Sequence, residues 1–145
     1  MRLIFRSRYL LFYKKQGEDP MNIARTLQTL FGLLLILFGL NSFFGFLPIP
    51  EKQGFAFEFL KTLHEAKYLF PLIATIMTTA GVLLVINKWV AFGLLIQLPI
   101  SVNIFAFHLF HDWQGLIPAW ILFALNIFLI FRRLNHFKAL FTNQG

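Results

Sequence analysis

The segment "WVAFGLLIQLPISVNIFAF", residues 89–107, carries no charged residue over 19 positions, and Lys88 and His108 flank it. At a rise of about 1.5 Å per residue, a helix of this length crosses a hydrocarbon core roughly 30 Å thick. Its apolar residues form no single stripe, which is the pattern of a helix apolar on nearly every side. A membrane barrel strand would instead alternate apolar and polar residues over about ten positions. The stretch therefore reads as a transmembrane helix.

Three further uncharged windows repeat the pattern: 26–50 with 25 residues, 68–87 with 20 and 113–131 with 19. The whole chain of 145 residues is 58% hydrophobic and 13% charged, with a mean hydropathy of +0.70. That lies outside the usual range for a soluble domain. So short a chain has too little left over to wrap four such rods, so the solvent must be lipid. The reading is an all-α membrane protein: a four-helix bundle with spans at about 24–47, 68–87, 89–110 and 114–131. The first window is too long for a cleavable signal and lacks a small-residue cleavage site.

Basic residues set the expected orientation. Arg2, Arg6, Arg8, Lys14, Lys15, Arg25, Lys88, Arg132, Arg133 and Lys138 fall on one side of a four-span topology, against Lys52, Lys61 and Lys67 on the other. Both termini are thus expected in the cytoplasm. Trp89 would anchor one interface, with Trp113 and Trp120 near the other. The net charge of +7 flanks hydrophobic spans and forms no stripe with interleaved aromatics, so topology and anionic lipid explain it better than nucleic acid does. With no cysteine, thiolate nucleophiles, thiol–disulfide exchange and Cys-ligated clusters are excluded.

Outside the spans, residues 1–20 form a basic extension. They read either as a cytoplasmic amphipathic anchor or as an over-extended start preceding a true initiator at Met21. The loop "EKQGFAFEFLKTLHEAKY" places Phe55, Phe59, Leu63 and Ala66 on one helical face and Glu58, Lys61 and Glu65 on the other. It reads as a short amphipathic helix on the outer ends of the bundle, with Phe57 breaking the pattern.

Small and polar residues inside the spans are the remaining signal. Arg25, Gln28, Gly32 and Gly39 lie within about 60° of one another on the first helix, and Thr75, Thr78 and Thr79 share a face of the second. Their commonest use is close helix packing. On the third helix Gln97, Ser101 and His108 fall within about 40°, with Pro99 and Asn103 on the far side. Pro99 removes a hydrogen bond to Leu95 and usually kinks a helix.

Asn41, Gln97, Ser101, Asn103 and His108 are the candidate ligand-binding residues, with Asn41, Asn103 and His108 at a similar depth in the outer half. The alternative use of these side chains is to tie helices together. A metal site would need His64, His108 and His111 to converge, which their spacing does not force, and His136 lies at the opposite face from a haem partner. No nucleophile with a base, carboxylate pair or phosphate-binding loop is present, and the spans contain no Asp or Glu. Neither a catalytic residue nor a metal ligand is therefore assigned.

"RTLQTLFGLLLILFGLNSFFGFLP" (25–48), "AGVLLVINKW" (80–89) and "PISVNIFAFHLF" (99–110) together resemble the DoxX family of small bacterial membrane proteins. The resemblance spans 21–141, with 142–145 a short tail. It implies a four-helix membrane bundle in the bacterial cytoplasmic membrane. It also implies a non-catalytic accessory subunit of a quinone-linked redox system, with a membrane or soluble oxidoreductase as partner. In that family the second helix often carries an acidic or polar residue four positions before the glycine matching Gly81. Here that position is Met77, so a proton-transfer role for that acid does not carry over. The residues themselves require no cofactor, are compatible with a homo-oligomer, and leave open a second class, a carrier for a small molecule or lipid.

Overall fold

The computed structural model describes residues 2–48, 52–135 and 137, with side chains from residue 23 onward. It contains α1 (Arg2–Phe44), α2 (Gly54–Glu65), α3 (Leu69–Ile86), α4 (Val90–His111), a 3-10 turn (Trp113–Gly115) and α5 (Leu116–Arg132). Four segments are long and apolar enough to cross a membrane: Ile23–Phe44, Leu69–Ile86, Val90–His111 and Trp113–Arg132. The protein is an all-α membrane bundle with one shorter helix, α2, that does not span. Only 33%, 28%, 28% and 17% of the respective span windows are buried, so most of their apolar side chains face outward. That surface suits hydrocarbon and not water.

Helix ends follow local backbone chemistry. The first span stops at Phe44, short of the expected 47, because Gly45 adopts a left-handed φ of 61° and returns its N–H to the Asn41 carbonyl at 2.8 Å. Glycine pays no Cβ penalty in that conformation and ends helices for this reason. Asn87 plays the same part for α3, with φ 59°, and the Lys88 N–H reaches back to the Leu83 carbonyl at 3.1 Å. The resulting turn, 87–89, is so short that α3 and α4 must run antiparallel. Past Pro99, α4 continues as one helix, and the proline lies exposed on its outer surface.

Around the bundle, α1 packs chiefly on α3, α3 on α4 and α4 on α5, while α5 closes the ring against α1. Buried positions repeat at helical spacing: Gln28, Phe31, Gly32, Leu35 and Gly39 on α1; Ala74, Met77, Ala80, Gly81 and Leu84 on α3; Val90, Gly93, Leu94, Gln97 and Ser101 on α4. In lipid, burial of apolar area does not drive helices together, so close van der Waals contact must. The α1–α3 crossing supplies it. A Cβ on Gly32 would stand 2.8 Å from the Gly81 carbonyl oxygen, and one on Gly81 would stand 2.5 Å from that of Gly32. Gly39 repeats the contact one level on, against the Thr78 hydroxyl and the Ala74 carbonyl. Thr75 and Thr79, by contrast, are exposed, and Thr75 donates to the Pro71 carbonyl of its own helix at 2.7 Å.

The short helix α2 lies across the far ends of α3 and α4. Glu58, Lys61 and Glu65 point outward as the periodicity requires, and Phe57 is exposed beside them. The apolar face centres on Ala56, Phe59, Leu60 and Leu63, while Phe55 reaches over to His111 with ring centroids 4.4 Å apart. Phe59 stacks on Phe107 at 5.5 Å.

Replacing Gly81 by valine forces two backbones apart and should lower bundle stability by about 1–3 kcal/mol. Val82→Leu, on the exposed side of the same helix, should leave it unchanged. Helical circular dichroism during titration with a denaturing detergent measures both, and equal stability of the two variants would contradict the crossing.

Candidate functional site

Polar side chains occupy three levels of the bundle. At the α2 end, Asp112 follows α4 directly and its side chain is 7% exposed. One carboxylate oxygen, Oδ2, accepts from Lys52 Nζ at 2.6 Å and lies 2.8 Å from His108 Nδ1. The same imidazole nitrogen is 3.2 Å from the Asp112 carbonyl oxygen. Two oxygen acceptors around Nδ1 make it the proton-bearing nitrogen. Gly115 is required beneath this ring, because a Cβ there would collide with it. Burial by itself would raise the Asp112 pKa. The hydrogen bond and charge of Lys52, followed by those of His108, outweigh that and hold it below the ordinary 3.8.

Asn41, also at this end, is buried, and its Oδ1 accepts from the Leu47 N–H at 2.6 Å, fixing the chain as it leaves α1. Beside these residues, an open groove of about 420 Å³ runs along α2, lined by Lys52, Phe57, Leu60, Lys61, His64, Glu65 and Phe70.

At mid-bundle, Gln97, Ser101 and Asn126 are all 0% exposed. Gln97 donates to the Ser101 hydroxyl at 3.4 Å, and Asn126 donates to the Leu94 carbonyl at 3.4 Å, tying α5 to α4. The amide oxygens of Gln97 and Asn126 are buried without a hydrogen-bond partner among the described residues. At the α3–α4 turn end, Gln28 donates to the Leu84 carbonyl at 2.7 Å and to Asn87 Oδ1 at 3.1 Å. Arg133 reaches the Gln28 amide oxygen at 2.7 Å, so α1, α3 and the end of α5 share one network.

The five candidate residues are thus divided. Gln97 and Ser101 meet in the core. His108 belongs to the pair with Asp112, and Asn41 caps the loop after α1. Asn103 is exposed on the outward surface of α4, as its opposite helical angle implies. His64 sits by Phe70 and His111 between Phe55 and Phe107, and among the described residues no group of three or more His, Cys, Asp or Glu side chains is placed to hold a metal.

Asn126, Asp112, Lys52, Asn87 and Arg133 complete these clusters and were not singled out as site residues from the sequence. Asn126 carries a legible signal, as a lone amide deep within the fourth apolar window. The Lys52–Asp112 pair, 60 positions apart in the chain, carries none. No family model matches this chain, and no curated protein or solved structure matches it.

The Asp112 carboxyl stabilises the fold in its charged form. Because its folded pKa lies below the unfolded value, that contribution is complete above about pH 4 and is lost as pH falls through the folded value. Acid titration of thermal stability should therefore show a decline in the wild type below about pH 4 that Asp112→Asn lacks. An unchanged acid limb in the variant would remove Asp112 from this role.

Proposed function

We propose that this chain is a DoxX-like membrane subunit that performs no reaction alone and serves a quinone-linked oxidoreductase in the bacterial cytoplasmic membrane. The observation that carries this reading is the use of its interior polar groups. Gln28 is bonded to a carbonyl of α3, Asn126 to one of α4, Gln97 to Ser101 of its own helix, and Asn41 to the loop after α1. Gln28 and Asn126 hold one helix to another, and Asn41 and Gln97 are spent on local bonds, which is the use a scaffold makes of polar groups. The resemblance of residues 25–48, 80–89 and 99–110 to DoxX proteins supports the redox partnership. Those segments form the α1 span and its exit, the second half of α3 with the turn to α4, and the half of α4 nearest α2. Purification from native membranes in mild detergent should bring down an oxidoreductase subunit together with extractable quinone. A chain that runs alone or as a homo-oligomer without quinone would overturn the reading.

A second reading, a carrier or sensor for a small molecule, rests on the groove along α2. Its apolar residues Leu60, Phe57 and Phe70 adjoin the charges of Lys61 and Glu65, a combination suited to an amphipathic ligand. Under this reading a metabolite or lipid co-purifies without quinone, and Leu60→Trp, which fills the groove, removes it.

Both readings place the termini in the cytoplasm and α2 outside. Single cysteines introduced into this cysteine-free chain at Gln53 and Gln114, exposed at the α2 end, should react with an impermeant maleimide in intact cells. One at Lys88, exposed at the α3–α4 turn, should react only after permeabilisation. The reverse pattern inverts the orientation.

A further inference from the structure

Among the described residues, the α3–α4 turn end of the bundle holds two guanidinium groups whose hydrogen-bond partners are all neutral. Arg25 gives Nη2 to the Val85 carbonyl at 3.2 Å, and its Nη1 is buried with no hydrogen-bond partner among the described residues. Arg133 gives Nη2 to the Gln28 amide oxygen at 2.7 Å and to Asn87 Oδ1 at 3.4 Å. Among the described side chains every carboxylate, Glu58, Glu65 and Asp112, belongs to the opposite end. Burial, and then the Arg25 charge, push the Arg133 guanidinium below its ordinary value, although it remains charged. Among the described residues, two like charges and an orphaned donor set between neutral neighbours form an unbalanced arrangement that an anion would complete.

We propose that Arg25 and Arg133 bind a phosphate-bearing anion, the phosphodiester of an anionic phospholipid headgroup. Guanidinium forks match paired phosphate oxygens in geometry and charge. The depth agrees, since Arg25 lies just inside the α1 span and Arg133 just past the end of α5, where headgroups meet the hydrocarbon. Trp89, 78% exposed, and the exposed Lys88 and Arg132 stand at the same level. Ile86 and Phe131 present apolar surface for the acyl chains. Inorganic phosphate offers the same oxygens without the chains. The proposal stands apart from any redox role.

The test is native mass spectrometry of the full chain in detergent, titrated with phosphatidylglycerol or phosphatidylcholine of identical acyl chains. Phosphatidylcholine carries its phosphodiester behind a quaternary ammonium that two guanidiniums repel. Phosphatidylglycerol should be preferred by about 10-fold to 30-fold. Arg25→Gln with Arg133→Gln should abolish the preference, and Lys61→Gln at the far end should keep it. Displacement of phosphatidylglycerol by inorganic phosphate at matched ionic strength assigns the site to a soluble phosphate of the same chemistry; retention assigns it to lipid. Equal binding of the two lipids, or a folded double variant that keeps the preference, overturns the proposal. Should the double variant fail to insert, Arg133→Gln alone, outside the spans, must lower the preference, and no change there overturns it as well.

Discussion

The contact between the backbones of α1 and α3 at Gly32 and Gly81 is the constraint on which the remaining structure rests. With a carbonyl oxygen of each helix within 2.8 Å of where the other's Cβ would be, the two backbones meet with no room for a side chain between them. That approach brings Gln28 within reach of the Leu84 carbonyl and Asn87, and Arg25 within reach of Val85. Two turns further along α1, it presses Gly39 onto Thr78. A wider crossing would leave these donors facing hydrocarbon, where each lost hydrogen bond goes uncompensated by water.

Polarity is distributed along the bundle axis according to the solvent at each level. Ionic groups stay at the ends: Lys52, Asp112 and His108 under α2, and Arg25 with Arg133 at the α3–α4 turn. Between them only amides and hydroxyls are buried, and these make long, weak bonds of 3.4 Å. Such bonds contribute on the order of 0.6 kcal/mol each in membrane proteins. Asn126 therefore fixes the pairing of α4 with α5 more than it stabilises it, while the Gln97–Ser101 bond stays within α4.

The two ends differ in how their charges are balanced. At the α2 end one carboxylate serves both a lysine and a histidine, so the cluster is closed on itself and pins α2's approach to the α4–α5 turn. At the other end, among the described residues, the cations meet amide and backbone oxygens and no carboxylate. This asymmetry follows the sequence distribution of basic residues, and it gives the two faces of one small bundle different chemistry.

The sequence by itself determined the solvent, the number of spans and the positions of most helix ends, because hydrophobic length and charge exclusion are local properties that lipid enforces residue by residue. On α1 and α4 it also determined the contact face: the shared angle of Gln28, Gly32 and Gly39, and that of Gln97 and Ser101, became buried, while Asn103 opposite became surface; on α3 the shared angle of the threonines did not, since Thr75 and Thr79 are exposed. Only the tertiary structure decided which faces meet. Periodicity assigns a residue an angle on its own helix and says nothing about the neighbour. Asp112 therefore found Lys52 across 60 residues, Arg133 found Gln28 across 105, and Asn126 found the Leu94 carbonyl, none of which any spacing along the chain encodes.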